Sequence, residues 1–252
     1  MSREARFLAV RAKVAALEAS GAPRHAVLSF GDPRIDQVFP DGGLPLGRWH
    51  EAVGEGMEVE TAASTAAFVA ALTAGLARRG AVVWVMRRDD LYAPGLGGCG
   101  FPANRLIQVR VANDTQALGT VEDALRTAGV AAVIGEVGEV SLIAGRRLQL
   151  ACETHGATGF VIGRRPFGGA GGARGGGSAA ATRWSIAAVP SQPAAGEPGL
   201  GPPRWRVALE RCRGGRPGAW IMENSDGTHP LRVVAELGDR QLATPQPLRL
   251  AG

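Results

Sequence analysis

The sequence predicts an α/β fold: a mainly parallel β-sheet with helices on both faces, plus a C-terminal antiparallel hairpin. Three observations predict it. Apolar runs of strand length recur at residues 81–86, 106–111, 130–135 and 159–163. Helical stretches lie between them, and short apolar strands alternating with helices imply a parallel sheet covered on both sides. Strand-like segments at 183–189, 204–212 and 219–223 then follow one another without a helix. Gly214, Gly215, Pro217 and Gly218 supply the turn between the last two.

The elements follow in chain order. Residues 2–19 predict a helix, because Phe7, Val10, Val14 and Leu17 share one face, and Gly21 and Pro23 stop it. That face either docks on the protein's own core or serves as a handle for another subunit. Residues 48–53 predict a strand, and 61–79 an Ala-rich helix ended by Gly80. Helices are predicted over 115–128 and 141–155. Residues 168–177 hold seven glycines in ten positions, with Arg174 the single charge, and predict a mobile loop. Pro and Gly mark a linker over 190–203. Beyond residue 224 the chain is polar, and 231–237 is its one apolar piece.

Composition narrows the function. Among 252 residues, 28 are Lys or Arg and 23 are Asp or Glu, for a net charge of +5. Lys13 is the single lysine. No Schiff-base lysine and no phosphate-binding Walker lysine is available deeper in the chain. Cys99, Cys152 and Cys212 are far apart and form no CxxC pair, which argues against a disulfide framework and a zinc ribbon. The N-terminus carries Arg3, Glu4 and Arg6 without an apolar core, so no signal peptide is expected. The longest apolar stretch, 66–77, is short for a bilayer span. A cytoplasmic protein without a membrane partner is expected.

Some motifs are decoys. Gly95-Leu-Gly97-Gly-Cys-Gly100 fits GxGxxG, but it follows no strand directly and opens no helix. It reads as a plain loop. His25, His50, His155 and His229 have no partner at metal-ligand spacing, and no GxSxG elbow is present. The histidines read as surface or core residues without chemistry.

Residues 28–68 are the informative segment. They hold Gly31, Ile35-Asp36, Gly42-Gly43-Leu44-Pro45, Gly47-Arg48 and Glu51 in that order. This run resembles the start of the RecA-family core, where a short helix leads through GGLPxGR to a strand and a P-loop. The resemblance implies a RecA-like core.

The P-loop itself is degenerate. Against GxxxxGK[ST], the chain keeps Gly54 and Thr61 but carries Val59 for the second glycine and Glu60 for the lysine. Phosphate binding there needs backbone N–H groups, a lysine and a hydroxyl on magnesium. Glu60 sets negative charge where phosphates would lie, and like charges at short range in a low-dielectric site repel by several kcal/mol. No nucleotide, metal or other cofactor is therefore expected, and no enzymatic activity. The apolar run 130–135 leads directly into Glu136, the Walker B position. Such an acid holds magnesium through water in an NTPase; without a P-loop it reads as a helix cap or surface residue.

In the RecA resemblance, the strand at 159–163 leads to a loop that contacts single-stranded DNA. The resemblance makes Arg164, Arg165, Arg174 and Arg183 candidates for phosphate contact. No aromatic lies between Phe167 and Trp184 to stack a base, so a merely solvated basic loop stands beside that reading. Arg204, Arg206, Arg211, Arg213 and Arg216, beside Trp205, form the densest basic patch. It reads as DNA-facing, partner-facing or solubilising.

Local words carry the likeness further: Leu91-Tyr-Ala-Pro-Gly-Leu96, Arg146-Arg-Leu-Gln-Leu150, Thr182-Arg-Trp184, Gly201-Pro-Pro-Arg-Trp-Arg206, Arg213-Gly-Gly and Trp220. Together with the missing Walker lysine, they resemble the ImuA family of bacterial inducible mutagenesis over residues 28–223. The resemblance implies a RecA-like accessory protein of SOS mutagenesis and translesion DNA synthesis. Its implied partners are a Y-family polymerase-like protein and an error-prone replicative-type DNA polymerase, with RecA, single-stranded DNA or self-association as further contacts. A divergent ATP-dependent recombinase-like enzyme and a simple single-stranded DNA-binding protein are the alternatives. The resulting organisation is an N-terminal helix over 1–22, a core over 23–224 with the mobile Gly-rich loop at 166–182, and a polar, partly disordered tail over 225–252.

Overall fold

A computed structural model describes residues 26–164, 178–193, 196, 198–225, 229 and 231–237. The predicted helix carrying Phe7, Val10, Val14 and Leu17 lies outside the described residues, as do Arg165, Arg174 and residues 238–252.

The described residues open with a two-stranded antiparallel ribbon, β1 (Val27–Leu28) and β2 (Leu44–Pro45). The short helix α1 (Pro33–Asp36) lies between them, and its N-cap Asp32 accepts from the Arg34 N–H at 2.9 Å. Ile35 is fully buried. Asp36 turns back to accept from the Ser29 hydroxyl at 2.7 Å and the Phe30 N–H at 2.8 Å. A Cβ on Gly43 would stand 2.9 Å from the Leu28 carbonyl oxygen, so only glycine lets the two strands meet. These contacts give the landmark residues of this segment a physical reason.

Among the described residues the main sheet has nine strands, in the order β11-β10-β9-β8-β3-β7-β6-β4-β5. They are β3 (Trp49–Gly54), β4 (Ala81–Met86), β5 (Leu106–Arg110), β6 (Val130–Val137), β7 (Thr158–Gly163), β8 (Thr182–Val189), β9 (Arg204–Cys212), β10 (Gly218–Asn224) and β11 (Leu231–Glu236). The strands from β8 to β5 in that order are parallel; β9, β10 and β11 extend the sheet by antiparallel pairing. The antiparallel part is longer than the expected hairpin. Residues 231–236 form an edge strand of the sheet, so the folded unit continues past residue 224.

Helix α2 (Glu58–Ala77) packs on one face of the sheet, and α3 (Asp114–Leu125) and α4 (Leu142–His155) on the other. Ser141 caps α4 by accepting from the Ala144 N–H, and Asn113 caps α3 through Gln116. α2 is long and apolar enough to cross a membrane, with a mean hydropathy of 1.4, yet 61% of that window is buried in the protein. It starts at Glu58 rather than at the predicted residue 61 and ends at Ala77 rather than at residue 79.

Trp49, Trp84, Trp184, Trp205 and Trp220 are all buried. Phe68 of α2 packs between Trp184 and Trp205, at ring distances of 6.2 and 6.0 Å. The Trp205 indole N–H donates to the Ser64 carbonyl at 3.0 Å, which ties β9 to α2. Of the predicted mobile loop at 166–182, residues 166–177 lie outside the described residues, and the described end packs on the core. Ala180 is fully buried, the Ala181 N–H donates to the Trp49 carbonyl at 2.8 Å, and Thr182 already belongs to β8.

Candidate functional site

The parallel strands β3, β4, β6 and β7 end at one edge of the sheet, where α/β folds collect their functional residues. Each strand end delivers part of the site: Gly54–Thr61 after β3, Arg88 and Asp90 after β4, Glu136 at the end of β6 and Arg164 after β7.

The loop after β3 is tight. A Cβ on Gly54 would stand 2.3 Å from the Thr61 hydroxyl oxygen, so a side chain there would collide with α2. Gly56 adopts φ 112°, a region that favours glycine. The Thr61 hydroxyl donates to the Met57 carbonyl at 3.0 Å, back within its own helix. Val59 is 86% exposed, and the Glu60 carboxylate lies 3.5 Å from where a Gly56 Cβ would stand. Glu58 and Glu60 thus bring negative charge to the helix N-terminus, where the helix dipole favours it.

Glu136 corrects the surface or cap reading: it is 3% exposed and held from two sides. The Trp84 indole N–H donates to Oε1 at 2.8 Å; Arg164 donates to Oε2 through Nε at 2.8 Å, with its Nη2 at 2.7 Å from the same oxygen. Burial lifts the Glu136 carboxyl above its usual range, against the pull of Arg164 and Trp84. Asp90 and Glu58 approach the same guanidinium at 3.6 and 3.9 Å, and Arg88 donates to Glu58 at 3.0 Å.

Beside these charges a cleft of about 530 Å³ runs between α2 and residues 91–99. The methyl groups of Ala62, Ala63, Ala66 and Ala67 line its α2 side. Tyr92 stands 73% exposed on the opposite side. The GxGxxG decoy is the short 3₁₀ segment Ala93–Cys99, as expected of a loop, but it walls this cleft and Asn224 Nδ2 donates to its Gly98 carbonyl at 2.7 Å. Sequence reasoning missed Glu58, Arg88, Asp90 and Tyr92. The pairs Arg87-Arg88 and Asp89-Asp90 directly after an apolar run were the available signal.

The residues present do not fit a magnesium nucleotide. The hydroxyl that would reach the metal is bonded within its helix, and the strand-end acid is already paired with a guanidinium.

No family model matches the chain. Protein ImuA of Caulobacter vibrioides, strain NA1000 / CB15N, is 56% identical over 234 residues, covering 90% of this chain and 96% of that protein. The chain belongs to the ImuA family. Protein ImuA of strain ATCC 19089 / CIP 103742 / CB 15 of the same species matches with the same figures. Among solved structures, the RadB recombinase superposes with a TM-score of 0.55 at 14% identity, over 82% of this chain and 99% of that one. The ImuA-family chain therefore carries a RecA-like fold.

In this ImuA-family member the described basic candidates stand in different settings. Arg164 faces inward, as above. Arg183 is near Glu210 at 3.4 Å and Glu51 at 3.8 Å. Arg204 pairs with Glu223 at 2.7 Å and donates to Gln192 Oε1 at 2.6 Å. Arg206 pairs with Glu55 at 2.9 Å across a solvated surface. Arg211 donates to the Ala180 carbonyl, while Arg213 and Arg216 are exposed. Trp205 lies in the core and offers no face for base stacking.

Proposed function

We propose that this ImuA-family protein is a non-catalytic RecA-like accessory protein of damage-induced mutagenesis. It joins error-prone polymerase components, a Y-family polymerase-like protein and an error-prone replicative-type polymerase, to RecA or DNA. One observation carries the non-catalytic part: Glu60 overlies the phosphate loop while Arg164 takes the strand-end acid. A divergent ATP-dependent enzyme receives less support, because Lys13 is the single lysine and precedes the core.

The cleft beside α2 is the surface assigned to a protein partner. Val59 and Tyr92 expose apolar area at its rim, and small alanines leave room for an inserted side chain. Exposed Arg213 and solvated Arg206 favour a second reading, single-stranded DNA binding through the β9 side of the sheet.

The experiment combines turnover with capture. Purified protein is expected to show no ATP hydrolysis at millimolar nucleotide, and to retain both polymerase components and RecA in a pull-down without nucleotide. Turnover lost in Glu136→Ala would overturn the non-catalytic reading. Failure to retain any of the three partners, with or without DNA, would remove the adaptor role.

A further inference from the structure

The C-terminal half of α2 lines a second groove, at the other end of the helix from the cleft described above. This groove of about 480 Å³ runs between α2, the segment from β1 to residue 30, and the start of β11. Phe30, Leu72 and Leu231 are buried along it, and Val27 and Leu28 are half-buried at its edge. Arg78 and Arg79 stand exposed on its α2 side and carry no ion pair among the described residues.

Gly75 of α2 also lines the groove. It is a glycine inside an Ala-rich helix, where alanine is the more stable choice. No crowding among the described residues demands it: a Cβ there would meet Leu28 Cδ1 at 3.7 Å, an ordinary van der Waals contact. A bare stretch of helix backbone beside open space suits the close approach of another segment.

We infer that the groove seats the N-terminal segment of its own chain, with the Phe7, Val10, Val14 and Leu17 face laid against Leu28, Leu72 and Gly75. The described chain begins at Ala26, next to Val27 in the groove wall. Residues 20–25 connect the predicted helix to that point and reach at most about 20 Å. So short a tether gives the chain's own segment an effective concentration of about 1 mM, an advantage that a second copy lacks. Glu18 follows Val14 by four positions, so it lies beside the apolar face and meets Arg78 or Arg79 when the helix is seated. Seating removes both apolar surfaces from water. The helix then completes the protein's own core, and the cleft at the N-terminal half of α2 stays open to a partner.

The test places the photo-cross-linker p-benzoyl-phenylalanine at the position of Arg79 in the full-length protein and maps its adducts by mass spectrometry. A cross-link to residues 2–19 is expected, in a band of monomer mass. It should be lost in Val14→Asp/Leu17→Asp, which spoils the apolar face, and in Gly75→Leu, which fills the groove. Leucine suits a helix interior, and circular dichroism checks that Gly75→Leu is folded. If it is not, the Val14→Asp/Leu17→Asp comparison stands alone. Three results overturn the inference: no adduct on residues 2–19, adducts on them only in a band of dimer mass, or an undiminished adduct in Val14→Asp/Leu17→Asp.

Discussion

The Thr182 hydroxyl donates to His50 Nδ1 at 2.8 Å, and the two residues stand opposite each other where β3 joins β8. The rest of the network fixes the tautomer. His50 Nε2 lies 3.0 Å from the Pro45 carbonyl, which only accepts, so Nε2 carries the proton. Thr182 accepts in turn from the Trp184 indole at 2.7 Å. The imidazole is wholly buried and every polar atom in the chain of bonds is used.

Acid should therefore weaken the fold through His50. Burial pushes its pKa from 6.5 down to about 3, against the Pro45 hydrogen bond. The folded pKa lies below the unfolded one, so this stability is full above pH 6.5 and is lost as pH falls toward 3, where the unfolded chain takes up a proton that the folded one refuses. The expected slope is roughly 1.4 kcal/mol per pH unit within that window. Urea unfolding between pH 7 and pH 4 should be less pH-dependent in His50→Gln. Equal pH dependence in the two proteins would exclude His50 as the cause.

Glu223 should be the stability anchor of the antiparallel strands. It is buried on β10 and pairs with Arg204 of β9 and Arg232 of β11. Glu223→Ala leaves the largely buried Arg204 without its carboxylate, at an expected cost of about 3 kcal/mol. Denaturant unfolding measures it. A change within about 0.5 kcal/mol, typical of surface substitutions, would show that the pair is only a solvated contact.

Val59 and Tyr92 should separate binding from folding. Both side chains are exposed, so Val59→Asp and Tyr92→Ala should each leave stability within about 0.5 kcal/mol. Both should reduce polymerase-component capture in the pull-down. Unchanged capture by the double variant would move the partner surface away from the α2 cleft.

Arg206 and Arg213 give the DNA reading a quantitative form. If they contact phosphates, the log–log salt slope of single-strand affinity should flatten by about 0.7 for each arginine replaced by Ala. Arg164→Ala should leave that slope unchanged, because its guanidinium is held by Glu136. A slope insensitive to Arg206 and Arg213 would remove the β9 side from the DNA surface.

The alternation of apolar runs and helices was enough to predict the parallel α/β core, because fully buried strands and amphipathic helices write local patterns into the chain. The departure of residues 54–61 from the GxxxxGK[ST] pattern was equally legible: Val59, Glu60 and the lone Lys13 are identities, and identities need no coordinates. The partners of Glu136 were not legible. Arg164 lies 28 residues and Trp84 52 residues away, and only the order in which β4, β6 and β7 pair brings the three together. The same holds for Trp205, read beside arginines in sequence but turned to the core, where its indole meets Ser64 across 141 residues. Local composition determined which segments fold into strands and helices. Tertiary structure decided which charges face each other, because strand order and side-chain facing are set by packing across the sheet rather than by neighbours along the chain.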